Sequence, residues 1–246
     1  MLTAELDASN LGKVIDTAPR RRLTCCDLEP SDAVEKYLRA IYLLSFTAPS
    51  VSTSAVAARL DVAAPSVSAM LRRLDNAGLL ASSGGAGIAL NAHGIRHARS
   101  VVRRHRLIET FLVRAVGMSW DEVHVEAEAL EHAASDVLID RIDASLGHPA
   151  YDPHGDPIPP PSGDHHEDWP PALADVPTGS SFRVDRVSDE DSAALRYLAE
   201  RGIRPGVTLR VLEREPFDGP LWIEVEEERH ALGHRLTPLV HGVVVR

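Results

Sequence analysis

The amino-acid sequence predicts a mainly α protein with a small β portion at its carboxyl end. Apolar residues recur at three- and four-residue spacing from Val34 to Leu146, which is typical of amphipathic helices. Eight of the seventeen prolines lie within residues 148–175 and divide the chain. After Val176, short apolar runs alternate with glycines, which indicates the strands of a small β-barrel.

Composition narrows the class of protein. The 246 residues, 44% of them hydrophobic, are enough for two or three modules. No apolar run approaches the ~20 residues of a membrane span, and the amino terminus lacks the order of a signal peptide. We therefore expect a cytoplasmic protein with no membrane partner. Residues 1–28 show no period and should form a flexible tail, in which the adjacent Cys25 and Cys26 fit no disulfide framework or zinc motif.

Three helices follow the tail. Ser31 or Asp32 can cap the first, and Thr53 or Ser54 can cap the second. Pro65 suits the first turn of the third, which Gly78 should end. Two apolar runs, 79–81 and 88–90, flank a glycine-rich turn and predict a small hairpin. Together these elements predict a winged helix-turn-helix.

The third helix would then enter the DNA major groove with its amino-terminal residues against base edges. Those residues are Ala64, Pro65, Ser66, Ser68 and Ala69. They are small, so readout should depend on methyl contacts and DNA shape, while Arg72 and Arg73 face phosphates. A helical hairpin used only for packing is the alternative. Arg20–Arg22 in the tail form either another phosphate contact or an ordinary charged segment.

Two long helical stretches come next. Asn91 can cap a fourth helix that runs to about Val116, and Ser119 can cap another that continues, with a kink near Ser135, to Leu146. Residues 149–175 are expected to be a stiff, unpacked linker. Beyond it lies a helix near Asp191–Arg201. The predicted strands are Ser181–Val187, Thr208–Glu213, Leu221–Glu226 and Val243–Arg246.

Charge is divided between the segments. The whole chain has a net charge of −10. Residues 31–118 hold eleven Lys/Arg and five Asp/Glu, a net of +6, whereas residues 119–175 hold one Arg and fourteen Asp/Glu, a net of −13. A basic module that faces phosphates and an acidic module that gathers cations would produce this asymmetry, although an ordinary solvated surface also tolerates it.

Two helical stripes of histidine and carboxylate lie in the second half of this region. Residues three and four apart share one face of a helix. The stripes are His105 with Glu109, and His124 with Glu128, Glu131 and His132. Imidazole and carboxylate without thiolate suit a divalent transition metal. Surface salt links to nearby arginines are the alternative. A di-iron carboxylate enzyme is disfavoured because no matched pair of Glu-x-x-His motifs appears.

Several motifs then resemble the diphtheria toxin repressor (DtxR/MntR) family of iron- and manganese-dependent repressors. The resemblance covers Asp32–Pro160 well and the carboxyl-terminal module more loosely. The motifs are Glu35-Lys36-Tyr37-Leu38-Arg39-Ala40-Ile41-Tyr42, Ala64-Pro65-Ser66-Val67-Ser68, Arg104-His105-Arg106-Leu107, Val123-His124 through Asp136, and Asp152-Pro153-His154-Gly155-Asp156-Pro157-Ile158-Pro159.

The resemblance implies a homodimer that binds double-stranded operator DNA, and an SH3-like (FeoA-like) barrel. It implies an ancillary metal site at His105, Glu109 and His124, completed by Glu190 or Asp191 from the barrel. It also implies a primary site at Glu128, Glu131 and His132. Glu128 resembles the manganese branch, since the iron branch has cysteine there. The expected cofactor is Mn(II) or Fe(II), and Zn, Co or Ni can substitute in vitro.

One position departs from the family pattern. Lys36 stands where the resemblance implies a Met or Asp ligand of the primary site, and an ammonium group cannot bind a metal. Asp32, one turn earlier, is the predicted substitute. Our hypothesis is that Lys36 pairs with Glu128 or Glu131, partly mimics the cation and weakens the metal response.

The sequence therefore predicts a metal-dependent transcriptional repressor that is not an enzyme and that controls metal homeostasis. A DNA-binding regulator that answers to no metal and a non-regulatory metalloprotein or metalloenzyme are the alternatives. The predicted segments are the tail 1–28, the winged helix-turn-helix 29–92, the helical metal-binding and dimerisation domain 93–148, the linker 149–175 and the SH3-like domain 176–246.

Overall fold

The computed structural model describes residues 31–82, 87–163, 165–167 and 169–245. The predicted tail, with Arg20–Arg22 and the two cysteines, lies outside these residues. The fold is mainly α with one antiparallel sheet, as predicted. The helices are α1 Asp32–Thr47, α2 Thr53–Leu60, α3 Ala64–Asn76, α4 Ala92–Phe111, α5 Val123–Glu131, α6 Asp136–Ser145 and α7 Ser192–Ala199. The strands are β1 Ser181–Val187, β2 Thr208–Arg214, β3 Leu221–Val225, β4 Glu228–Leu232 and β5 Val240–Val245.

The first module is a helix-turn-helix around one apolar core. Ser31 caps α1 by accepting from the Val34 N–H. Ser52, rather than Thr53 or Ser54, caps α2, because its hydroxyl accepts from the Ala55 N–H. The core joins α1, α2, α3 and the middle of α4, through Ala98 and Val102. The predicted wing is reduced to single bridges, Val51 to Ile88 and Leu80 to Leu90, and part of its turn lies outside the described residues.

The second module is built on α4. Asn91 caps this helix through the N–H groups of His93 and Gly94, as expected. It passes into a π-helical turn, Leu112–Val116, that ends at Gly117. The prediction for Ser119 was wrong: its hydroxyl bonds to the Asp121 carboxylate and α5 begins at Val123. The expected kink at Ser135 is a complete break, since Ser135 caps a separate helix, α6.

The predicted unpacked linker is wrong in both halves, since Glu167 and Leu173 of its second half are buried as well. Asp152, His154, Asp156 and Ile158 are all buried. The Val187 N–H donates to the His154 carbonyl, and the buried Arg106 guanidinium of α4 contacts Asp156 and donates to the Pro157 carbonyl. Sequence composition did not reveal this packing because prolines also occur in rigid, hydrogen-bonded segments. We call residues 152–158 the buried strap.

The carboxyl-terminal module is a five-stranded antiparallel sheet in the order β4-β3-β2-β1-β5. The predicted β1 has the observed bounds, whereas β5 begins at Val240, earlier than expected, and β4 was missed. Strand β4 is short and mostly polar, so it lacks the alternating apolar signal of a strand. The apolar core of the carboxyl-terminal module includes Trp120 from the helical module, and this contact attaches the barrel to that module.

Among the described residues, no helix is both long and apolar enough to cross a bilayer.

Replacing Gly155 tests whether the buried strap is held against β1. Gly155 has φ +88°, and a Cβ there would collide with the Asp185 carbonyl oxygen. Gly155→Ala should lower the melting temperature of the full chain by several degrees, since backbone strain and overpacking each cost about 1–3 kcal/mol. Gly179→Ala is the matched control, because Gly179 has φ +83° but open space around it. Equal melting temperatures for the two variants would contradict this packing.

Candidate metal centre

The predicted ancillary cluster is assembled between α4 and α5. His105 Nε2 lies 2.9 Å from Glu109 Oε1, and His124 Nδ1 lies 3.2 Å from the same oxygen. The two imidazoles are 3.2 Å apart at these nitrogens. The helical spacing of His105 and Glu109 places them on one face, and α5 delivers His124 opposite. Three potential ligand atoms therefore converge on one point, with Glu109 fully buried and His124 partly open to solvent.

A second group of potential ligands shares Glu109. Asp152 and His154 of the buried strap, together with Glu109, also place one ligand atom each within 4.8 Å of one another. His154 Nδ1 lies 4.0 Å from Glu109 Oε2. Sequence reasoning quoted Asp152-Pro153-His154 as a motif but assigned it no ligands, because it placed the motif in an unpacked linker. The sequence feature that could have indicated these ligands is the spacing of Asp152 and His154, an acid and a histidine separated by one residue.

The barrel contributes a different acid from the two that were predicted. Asp189 Oδ2 lies 3.5 Å from His124 Nδ1. Glu190 instead pairs with Arg59 of α2 at 2.5 Å. Asp191 caps α7 by accepting from the N–H groups of Ala193 and Ala194. The predicted positions differ from Asp189 by one or two residues, because Asp191, which was expected at the cluster, is used as the helix cap of α7.

The predicted primary cluster already contains two cations. Lys36 Nζ donates to Glu128 Oε2 at 3.0 Å, as hypothesised. Arg39, which sequence reasoning missed, donates to Glu128 Oε1 at 2.6 Å and lies 3.6 Å from Glu131 Oε2. Its other guanidinium nitrogen is 2.8 Å from His105 Nδ1. Arg39 lies one turn after Lys36 on α1, but nothing in the local sequence distinguishes it from an arginine in solvent. Two α1 cations therefore tie α1 to α5.

Asp32 is a poor substitute ligand in this arrangement. Its side chain is 75% exposed, and Oδ1 is 3.7 Å from His132 Nδ1. Glu35, which was not predicted, lies 2.8 Å from the same nitrogen through Oε2 and is buried. Its other oxygen contacts Arg104 at 3.4 Å. The structure thus brings Glu35, rather than Asp32, into direct contact with His132.

Charge explains how the ancillary cluster is stable. Burial disfavours a proton on His105, but the Glu109 carboxylate more than offsets this and raises the pKa of His105 to about 9. Burial also disfavours the Glu109 charge, yet His105 and the hydrogen bonds from both imidazoles hold the pKa of Glu109 well below its ordinary value. The buried carboxylate therefore requires a positive partner, which a proton or a metal cation can supply.

Of the nine buried side-chain nitrogen and oxygen atoms that have no hydrogen-bond partner among the described residues, four form two pairs. One pair is Glu109 Oε2 with His154 Nδ1, and the other is Glu131 Oε1 with His132 Nε2 at 3.6 Å. Buried polar atoms without partners are costly. Since each pair joins a carboxylate oxygen to an imidazole nitrogen, both fit a divalent transition metal. The ancillary cluster also lines an open cavity of about 470 Å³ where the three modules meet.

The predicted DNA-reading residues lie on one side of α3. Ala64, Pro65, Ser66 and Ala69 are exposed, as are Arg72 and Arg73. Ser68 is half-buried, and its hydroxyl donates to the Ala64 carbonyl. Pro65 occupies the first turn, as predicted. The face is therefore accessible but offers little hydrogen-bonding capacity.

Three family models cover most of the chain. The DNA-binding domain of the iron dependent repressors matches residues 30–88. Their metal binding and dimerisation domain matches residues 91–160, and the FeoA domain matches residues 172–238.

Individual proteins show the same relationship. The iron-dependent repressor IdeR of Mycobacterium leprae is 31% identical over 222 residues, which cover 85% of this chain and 96% of that protein. A solved manganese-dependent transcriptional repressor in complex with manganese has 40% identity and a TM-score of 0.79, and covers 86% of this chain and 100% of its own. The manganese regulator SloR has 32% identity and a TM-score of 0.72, with 89% and 100% coverage.

The ion pairs of Glu128 should make the stability of the fold depend on pH. Although burial opposes ionisation, hydrogen bonding from Lys36 and the Arg39 charge lower the pKa of Glu128 from 4.5 to about 2. The resulting stability is present above pH 4.5 and is lost as the pH falls towards 2. Allowing for solvent screening, we expect Glu128→Gln to cost about 1–2 kcal/mol at pH 6–7 and progressively less below pH 4.5.

The measurement compares melting temperatures of chelator-treated protein across this pH range. Glu126→Gln is the control, because Glu126 lies on the same helix and is exposed. A cost that stays constant down to pH 3 would show that the ion pairs do not hold α1 to α5.

Proposed function

The chain belongs to the family of iron- and manganese-dependent transcriptional repressors, and from this premise we propose a manganese-preferring regulator with a muted metal response. It would bind operator DNA as a homodimer in the cytoplasm, and it would regulate transcription rather than catalyse a reaction. The observation that carries the metal part is the convergence of His105, Glu109 and His124, with Asp189 3.5 Å from His124.

Glu128, at the position where the resemblance implies cysteine in the iron branch, supports Mn(II) ahead of Fe(II). Within the described part of the chain, both clusters offer carboxylates and imidazoles and no sulfur, which suits metals of intermediate hardness. Affinity generally rises from manganese through iron, cobalt and nickel, so those metals and zinc should also bind in vitro. We propose His105, Glu109, His124 and Asp189 as one ligand set, with Asp152 and His154 beside it.

A bound divalent ion would supply positive charge to Glu109 in place of a proton. The structural effect of that ion depends on which elements of the fold carry the surrounding residues. Glu109 belongs to α4, His124 to α5, His154 to the buried strap and Asp189 to the loop after β1. Holding these four together fixes the barrel on the helical module. His105 extends this effect to α1, since its Nδ1 faces Arg39 and Glu131.

The primary cluster differs because its cations are part of the chain. Lys36 and Arg39 neutralise Glu128 without any metal. We propose that they hold α1, and with it the DNA-reading module, partly in its binding orientation. The metal then has to shift the equilibrium between the two orientations by less, so it needs a smaller preference for the DNA-binding orientation than the ~10⁴-fold preference that a complete switch requires.

Dimerisation is supported by an exposed apolar surface. Val137 and Leu138 of α6 are 69% and 49% exposed, and Leu130 of α5 is 45% exposed. Exposed apolar patches of this kind mark protein contacts. We propose that a second copy covers them and that the two α3 helices then read successive major-groove faces.

Metal titration of DNA binding tests the proposed function. Operator fragments selected from random duplex DNA should bind about 10–100-fold more tightly with Mn(II) than with chelator, less than a complete switch would give. His124→Ala should lose most of this gain, since removing a ligand weakens metal binding by at least about tenfold. His148→Ala is the control, because His148 is exposed and contacts Asp143, away from both clusters. Affinity that does not change with chelator, manganese, iron or zinc would refute the proposal.

Substitution of Lys36 tests the resident cation separately. Lys36→Asp should weaken DNA binding in chelator and increase its dependence on Mn(II), because a cation is exchanged for a carboxylate ligand. Lys36→Leu removes the cation without adding a ligand, so it should weaken binding in chelator but gain no extra manganese response. Gel shifts across a manganese series distinguish these outcomes. Identical curves for wild type and Lys36→Asp would reject cation mimicry.

A regulator that answers to no metal is the second candidate. It is favoured by one observation, the complete pairing of Glu128 with Lys36 and Arg39. It requires sequence-specific DNA binding that remains unchanged in both the wild type and His124→Ala across the manganese series.

A further inference from the structure

A second cavity lies on the DNA-reading module, away from the metal centre. Its volume is about 380 Å³, within the range of sites that hold small organic molecules. It is bounded by α1, residues 89–90, the first turns of α4 and His165, and it shares no lining residue with the cavity at the metal centre. Most of its wall is apolar, with Ile41, Leu90 and Ile95 among the side chains that form it.

Three aromatic rings line this cavity. Tyr42 and Phe46 pack edge to face with their centroids 4.9 Å apart. The Tyr42 ring is within 25° of parallel to the His165 imidazole, at a centroid distance of 6.5 Å. Phe46 and Ile95 are 36% and 37% exposed, so part of the apolar lining is open to solvent. Because aromatic rings gain energy from one another beyond the burial of their area, these walls favour a flat aromatic ligand.

The Tyr42 hydroxyl is a polar group of this cavity that lacks a partner. Tyr42 is only 4% exposed, and within the described ranges its hydroxyl makes no hydrogen bond. The nine enclosed atoms without partners, such as Arg99 Nε, are sealed off, but the Tyr42 oxygen is not one of them, so a molecule in the cavity can reach it. Since a phenolic hydroxyl both donates and accepts, one polar group on a ligand would satisfy it.

His165 presents a second reachable atom. Its Nε2 lies 2.9 Å from Glu167 Oε1, and because a carboxylate accepts, this nitrogen carries the proton. Arg106 holds Glu167 in turn, so the imidazole is fixed in place. In the neutral ring Nδ1 is then an acceptor, and it has no partner among the residues of the described segments. The cavity therefore offers one donor-acceptor and one acceptor on aromatic walls.

Charge around the hydroxyl disfavours an anionic ligand. Burial and the negative charge of Glu167 raise the pKa of Tyr42 to about 12, against the smaller opposing effects of Arg99 and Arg106. A position that resists formation of a phenolate also resists another negative group. Arg99 lines the cavity, but its Nη1 donates to the Gly163 carbonyl at 2.5 Å and its Nε is enclosed. An uncharged ligand therefore matches the site.

We propose that this cavity binds a small uncharged aromatic molecule of the phenol class, whose ring contacts Tyr42, Phe46 and His165 and whose hydroxyl forms a hydrogen bond with the Tyr42 hydroxyl. The ligand would touch α1, α4 and the segment after the buried strap together. If the proposed function holds, occupancy would therefore also act on the module that reads DNA.

The test measures binding of 4-fluorophenol to the full, metal-free chain by ¹⁹F NMR at pH 7, where a phenol is uncharged, with no DNA present. Saturable line broadening is expected for the wild type. Tyr42→Phe should weaken binding about fivefold, which corresponds to about 1 kcal/mol, the usual contribution of one neutral hydrogen bond. Tyr37→Phe is the matched control, because Tyr37 is also a buried tyrosine of α1 but does not line the cavity, so affinity should not change.

A second measurement uses only the wild type, so it does not depend on how a variant folds. With ¹³C-labelled isoleucine methyl groups, 4-fluorophenol should shift the signals of Ile41 and Ile95 saturably and leave that of Ile158, which lies in the core of the helical module, in place. Fluorobenzene, which lacks the hydroxyl, should bind about fivefold more weakly than 4-fluorophenol.

Several results would overturn the proposal: no saturable binding, shifts at Ile158 instead of Ile41 and Ile95, or equal affinity in Tyr42→Phe and wild type. Fluorobenzene that binds as tightly as 4-fluorophenol would overturn the hydrogen bond, and 4-fluorobenzoate that binds more tightly would overturn the assignment to an uncharged ligand. Affinity that falls as the protein concentration rises would show that a second copy of the chain covers the cavity instead. Since neither metal nor DNA is used, these outcomes are independent of the proposed function.

Discussion

The fully buried carboxylate of Glu109 is the constraint around which the three modules are arranged. One of its oxygens faces His105 and His124, and the other faces His154 at 4.0 Å. A desolvated carboxylate is unstable without positive charge or donors close by. The partners come from α4, α5 and the buried strap, and Asp189 brings the barrel to the same point through His124. Satisfying one charge thus determines where four separate parts of the chain must lie.

His105 connects this carboxylate to the DNA-reading module. Its Nε2 belongs to the Glu109 cluster, while its Nδ1 lies 2.8 Å from both Arg39 and Glu131. A change of charge at one ring nitrogen therefore acts on contacts made by the other. Arg39 in turn binds Glu128, so α1, α4 and α5 meet through a single imidazole and a single guanidinium. These contacts of His105 and Arg39 are sufficient to couple the metal cluster at Glu109 to the DNA-reading module.

The sequence was sufficient for the architecture and for the pairs that lie within one helix. The order of helices, the bounds of β1 and the stripe of His105 and Glu109 all follow from local periodicity and capping. Contacts between distant segments were less predictable. Asp189 was missed because one or two residues decide whether an acid caps a helix or faces a cluster. His154 was missed because proline content hides packing, and Arg39 because nothing local distinguishes an arginine that pairs with α5 from one in solvent.

In the proposed mechanism, Lys36 and Arg39 would bias the regulatory equilibrium without replacing the metal. Lys36 and Glu128 are 40% and 27% exposed, and partly exposed ion pairs are worth only about 0–1 kcal/mol each. Two such pairs fall well short of the ~5.5 kcal/mol that separates a fully closed from a fully open switch. Glu131 Oε1 and His132 Nε2 also remain without partners beside them, so the ion pairs do not complete the cluster. An equilibrium that is partly biased by the chain and partly dependent on an ion gives a graded response, in which metal adjusts DNA affinity instead of switching it on from nothing.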